Sequence, residues 1–99
     1  MKLGPEETDL TGKWEASGDR VIADTTCWRI DQVVAHELVE VSRLPSGWAV
    51  LYRDPQDARF WELTYPEGEL HGGGPPRLTS IPVQEARERY GPAVVAAVD

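Results

Sequence analysis

The sequence predicts an α+β fold: a small antiparallel β-meander with an N-terminal hairpin, packed by one amphipathic helix plus a short C-terminal helix. Three observations carry this prediction. Cys27, Ile30, Val33, Val34 and Leu38 recur at helical spacing. From Val39 to Tyr65 the pattern changes to strand-like alternation. Clusters of Gly, Pro, Asp and Ser punctuate that stretch as turns.

In chain order, residues 4–11 read as an extended lead-in. Lys13 to Ala16 and Arg20 to Ala23 flank the turn Ser17-Gly18-Asp19, which makes a short hairpin. Asp24-Thr25-Thr26 offers helix N-caps, and the helix runs from about Thr25 to His36, where His36 suits a C-terminal or surface position. Strands follow over 39–43, 47–53 and 59–65, separated by Leu44-Pro45-Ser46-Gly47 and Asp54-Pro55-Gln56-Asp57. One sheet face should carry aromatics and the other should be mixed and more polar. After a loop over 66–76, Ser80 or a neighbour should cap a short helix with Pro82 in its first turn, and Gly91-Pro92 should stop it near Tyr90. The expected core is Trp14, Ile22, Ile30, Val34, Leu38, Trp48, Val50, Trp61 and Leu63, with Trp48 and Trp61 structural and not partner anchors. The 99 residues should form one domain over 1–99, its core at about 10–90 and 91–99 a tail.

Charge narrows the function classes. Seventeen acidic residues against ten basic ones leave a formal net charge of −7. That sign repels phosphate backbones and anionic membranes, so neither nucleic acid nor a membrane is an expected partner. A basic protein would be attracted. The lone Cys27 excludes an intramolecular disulfide and a CxxC pair, and a buried thiol in a reducing cytoplasm is its expected state. The first residues lack an apolar signal core, so the expected compartment is cytoplasmic.

Two constellations invite chemistry. His71-Gly72-Gly73-Gly74 resembles an oxyanion loop, but no GxSxG nucleophile elbow accompanies it. It also lacks the P-loop Lys and Ser/Thr needed to cradle phosphate. The glycines then imply backbone angles that larger residues avoid, and Pro75-Pro76 stiffen the exit, which suits an ordered loop over one edge of the meander. Asp54, Asp57, Glu62, Glu67 and Glu69 form an acidic stretch offset only by Arg59. A solvated face, an acidic docking surface and a paired-carboxylate site all fit it. His36 and His71 lack metal-ligand spacing, so no metal or cofactor is expected.

Gly47-Trp48-Ala49-Val50-Leu51-Tyr52-Arg53-Asp54-Pro55, Arg59-Phe60-Trp61-Glu62-Leu63-Thr64-Tyr65-Pro66 and His71 to Pro76 together resemble the Imm27 family of bacterial immunity proteins. Gly12-Lys13-Trp14 and Cys27-Trp28-Arg29-Ile30 extend the likeness from about Leu10 to Tyr90. Ala58 departs from it, standing where glycine is expected after the turn aspartate. The resemblance implies a non-enzymatic protein of a polymorphic toxin system that binds and blocks a cognate toxin encoded beside it; the sequence does not fix the oligomeric state, and a monomer is the favoured expectation. Charge assigns that toxin a basic surface and places its contacts at Asp54, Asp57, Arg59, Glu62, Glu67, Glu69 and His71 to Gly74. The alternative is a small hydrolase or ligand-binding domain using the His71 loop and nearby carboxylates.

Overall fold

Helix α1 spans Thr25–His36 in the computed structural model, which describes residues 3–66 and 74–96. Its start follows from Asp24, whose Oδ1 accepts a hydrogen bond from the Cys27 backbone N–H at 2.9 Å and so satisfies an orphan donor of the first turn. The apolar stripe buries Cys27, Ile30 and Val33. The predicted α+β class holds, with seven strands among the described residues, all paired antiparallel.

The strands are β1 (Asp9–Thr11), β2 (Trp14–Ser17), β3 (Arg20–Ala23), β4 (Val39–Arg43), β5 (Ala49–Arg53), β6 (Phe60–Thr64) and β7 (Arg77–Ile81). The meander β4-β5-β6 forms where alternation predicted it. Two further strands enlarge it to the order β1-β7-β6-β5-β4, while β2 and β3 pair only with each other. Strand β7 corrects the expectation that Ser80 caps a helix. Ser80 lies opposite Trp61 in the ladder, and its N–H donates to the Thr8 carbonyl at 2.9 Å. Helix α2 (Val83–Tyr90) begins only after Pro82, which occupies its N-cap. The strand signal of Arg77-Leu78-Thr79-Ser80-Ile81 is short and lies between two prolines, so turn chemistry masks it.

Register explains the core. Leu10, Leu78, Leu63 and Val50 lie opposite one another across four strands, and Trp61 faces Tyr52. This row packs against Ile30, Val33, Leu38 and Leu3. Because strand side chains alternate, Leu51, Phe60 and Ile81 point to the other face, where Ala86, Tyr90 and Val95 cover them. Both faces of the central strands are therefore buried, which corrects the expectation of one more polar face. Val95 belongs to α3 (Pro92–Ala96), so the tail docks as far as that helix.

Three expected core residues are not core. Trp14 is 38% exposed, Ile22 48% and Trp48 50%. Val34 is only partly buried. Trp14 and Ile22 belong to β2 and β3, a two-stranded sheet in which no described side chain is buried. Trp48 precedes the first paired residue of β5, Ala49. Alternation reports which face a residue takes, not whether a second layer covers it.

Candidate functional site

Of the predicted acidic stretch, the structure describes Asp54, Asp57 and Glu62. Asp54 and Asp57 sit in the turn joining β5 to β6. Asp54 is buried, and its Oδ1 accepts from the Gln56 N–H at 2.9 Å as a turn-forming carboxylate. Asp57 is exposed but accepts from both the backbone N–H and Nε of Arg59. Glu62 is buried on the α2 face, where its two oxygens accept from Arg89 Nη1 at 2.5 Å and the Tyr90 hydroxyl at 2.8 Å. Burial, and then the bond to Glu62, push the Tyr90 hydroxyl well above its ordinary range. Neither Asp54 nor Glu62 presents a carboxylate to solvent, which corrects the expectation that they line a docking surface.

Arg59 is likewise committed. Its Nη1 and Nη2 donate to the carbonyls of Glu7 and Gly4 at 2.5 and 3.0 Å, and its guanidinium lies 4.8 Å from the centre of the Trp61 ring. Glu7 in turn accepts two bonds from Arg29 of α1, each 2.5 Å. Arg59 therefore clasps the N-terminal segment to the sheet and does not reach outward for a partner.

Glu67, Glu69, His71, Gly72 and Gly73 lie outside the described residues. Their flanks, Pro66 and Gly74, follow β6 and precede β7, at the end of the sheet opposite the Asp54–Asp57 turn. Gly74 is buried and takes φ +75°, a positive backbone angle of the kind expected for the loop. The length of β6, roughly 16 Å at about 3.3 Å per residue, separates the Asp54–Asp57 turn from Pro66.

The Pro66 end of the sheet carries the exposed aromatic surface. Trp48 and Tyr65 meet edge to face there, with ring centres 5.6 Å apart. A cleft of about 340 Å³ beside them is lined by Thr11, Gly12, Lys13, Pro66, Pro75 and Pro76. Gly12 roots the β2–β3 hairpin in this cleft: its N–H donates to the Pro76 carbonyl at 2.8 Å. A Cβ on Gly12 would lie 2.5 Å from Cys27 Sγ and 2.9 Å from that carbonyl oxygen, so only glycine fits. Cys27 is buried as expected, and its thiol lies 3.5 Å from the Lys13 carbonyl. The two short motifs around Gly12 and Cys27 are therefore one packed junction. Trp28, 55% exposed, follows Cys27 directly.

Sequence reasoning missed this exposed set, namely Trp14, Val21, Trp28 and Trp48. For Trp14 and Val21 the available signal was the hairpin length: four-residue strands cannot bury both faces of a two-stranded sheet.

A second cleft, of about 590 Å³, lies at the opposite end of the sheet between Arg59, Phe60, Ile81, Val83 and Arg87. No described residue lining either cleft is His, Cys, Asp or Glu. Among the described residues, no group of three His, Cys, Asp or Glu side chains is placed to hold a metal ion. No helix among them is long and apolar enough to cross a membrane.

Among known proteins, the family model of Immunity protein 27 matches residues 16–82. No curated protein and no solved structure matches the chain.

Proposed function

This chain belongs to the Immunity protein 27 family, and on that premise we propose that it binds and neutralises a cognate bacterial toxin by protein–protein contact in the cytoplasm of the producing cell. The observation that carries the reading is the family match, which spans β3, α1 and the sheet from β4 to β7. Two physical features support it. Exposed tryptophans are typical anchors of protein interfaces. The net charge of −7 favours encounter with a basic toxin. The proposed contacts retain Asp57, Glu67, Glu69, His71, Gly72, Gly73 and Gly74. They leave out Asp54, Arg59 and Glu62, whose polar groups are engaged within the fold.

Blocking by contact requires no catalysis, cofactor or metal from this chain, and the protein is proposed to act as a monomer. The test is co-expression with the protein encoded by the adjacent gene. Growth should be restored in the presence of this protein, and the two should co-purify as a stoichiometric complex. Rescue at sub-stoichiometric amounts, or rescue without a complex, would instead favour the alternative in which the protein acts on a small molecule.

A further inference from the structure

The β2–β3 hairpin has a face that nothing among the described residues covers. Its register pairs Trp14 with Ala23 and Ala16 with Val21, so these four side chains share one face. That face is wholly apolar, and all four residues are exposed, Val21 to 65%. The opposite face pairs Glu15 with Ile22 and carries Arg20. A two-stranded hairpin is marginal in water unless another layer packs on it. Among the described residues, backbone bonds tie its root to the body, through the Gly12–Pro76 bond and a second bond from the Asp24 N–H to the Lys13 carbonyl at 3.0 Å.

The open edges of the main sheet are managed differently. Edge strand β4 is interrupted by a register shift between Glu40 and Ser42 and carries the Arg43–Glu40 ion pair. Edge strand β1 is three residues long. Both devices discourage docking. The hairpin pairs without a register shift, no described layer covers it, and all its apolar side chains but Ile22 share one face.

We propose that the apolar face formed by Trp14, Ala16, Val21 and Ala23 is the surface on which the toxin docks, the hairpin acting as an arm rooted at Gly12. The assignment rests on the binding function proposed above. The occupant is a basic protein and not a second copy of this chain, because two copies each carrying −7 repel one another while a cationic partner is drawn in. Trp48 and Tyr65 lie at the end of the sheet where Thr11 leads into the hairpin, so an aromatic anchor is available to an arm-bound partner at that end.

Val21→Lys and Ile22→Lys test the assignment, since both residues are exposed, adjacent in β3 and on opposite faces. The probe is the protein encoded by the adjacent gene, in a catalytically inactive form, titrated by calorimetry. Circular dichroism and the unfolding midpoint should show both variants folded like the wild type. Val21→Lys should weaken binding by at least about tenfold, as for loss of an interface anchor, and Ile22→Lys by less than about threefold. Unchanged binding by Val21→Lys would overturn the proposal. Equal losses in the two variants would also overturn it, since they would report hairpin integrity and not a docking face. Sedimentation showing a homodimer that Val21→Lys dissociates, with toxin binding intact, would assign the face to self-association. If the wild-type protein fails to bind the probe, the functional reading itself fails, and the surface assigned to that partner falls with it.

Discussion

At the scale of single residues, Ala58 adopts φ +64°, the left-handed region that glycine enters freely and alanine does not. The turn geometry put in doubt by the missing glycine is therefore kept, at a cost in strain. Ala58 is exposed, so Ala58→Gly removes the strain without losing packing. Left-handed strain of about 1–2 kcal/mol set against glycine's extra backbone entropy of about 0.5–1 kcal/mol predicts a net gain of up to about 1 kcal/mol. A higher urea midpoint with unchanged slope would show it; a lower midpoint would refute it. The tryptophans separate on the same scale. Trp61 is fully buried between α1 and the sheet, and Trp61→Ala should cost about 3–5 kcal/mol. Trp48 is half-exposed and touches the Tyr65 ring edge to face, so Trp48→Ala should cost no more than about 1.5 kcal/mol. Denaturant unfolding of the two variants measures the difference directly, and similar losses would contradict the assignment.

At the scale of elements, the N-terminal segment is held by charge as much as by packing. Leu3 is buried, but Glu7 and the carbonyls of Gly4 and Glu7 supply the clasp to Arg29 and Arg59. The Arg29 hydrogen bonds, aided by the Gly4 N–H, hold the Glu7 carboxyl at about 2, against an ordinary value of 4.5. A carboxylate whose folded value lies below its unfolded one stabilises the fold above the unfolded value, and that contribution is lost as pH falls through the folded value. The clasp should therefore contribute fully at neutral pH and fade between about 4.5 and about 2. Glu7→Gln should be less stable than wild type at neutral pH, and the gap should close toward pH 2. Thermal midpoints across that range are the measurement; a gap independent of pH would show that Glu7 acts by packing alone. Asp9 shifts in the same direction through its bonds from Arg77, so it adds to the wild-type acid sensitivity without altering the comparison.

For the whole molecule, charge governs how fast a partner arrives more than how long it stays. With −7 on 99 residues, association with a basic toxin should be steered at low salt. Screening acts over roughly 10 Å at 0.1 M and about 3 Å at 1 M, so the on-rate should fall several-fold across that range while the off-rate changes little. Stopped-flow binding at several salt concentrations separates the two rates. A flat on-rate would leave the acidity as a solubility feature and remove charge as the ground for choosing a basic occupant. In the proposed complex, the apolar face of the arm would set the strength of the contact and the acidic body its speed.

The sequence by itself determined α1 and the meander, and its charge set the expectation about the partner. Helical spacing from Cys27 to Leu38 placed α1, the Asp24 cap placed its start, and alternation from Val39 to Tyr65 placed the meander, because these depend on neighbouring residues and on backbone geometry. Net charge, being a sum over residues, needed no structure to disfavour nucleic acid. Only tertiary structure decided which residues are covered and which polar groups are free. Trp14, Ile22 and Trp48 have the alternation of core residues, yet no described layer covers them; Glu62 is an acid in a run of acids, yet Arg89 and Tyr90 close over it. Arg59, legible as a cation among acids, spends its donors on carbonyls more than fifty positions away in sequence. Covering depends on which distant element arrives, and β7 inserted beside β6 decided that for this chain, through a register that local pattern does not encode.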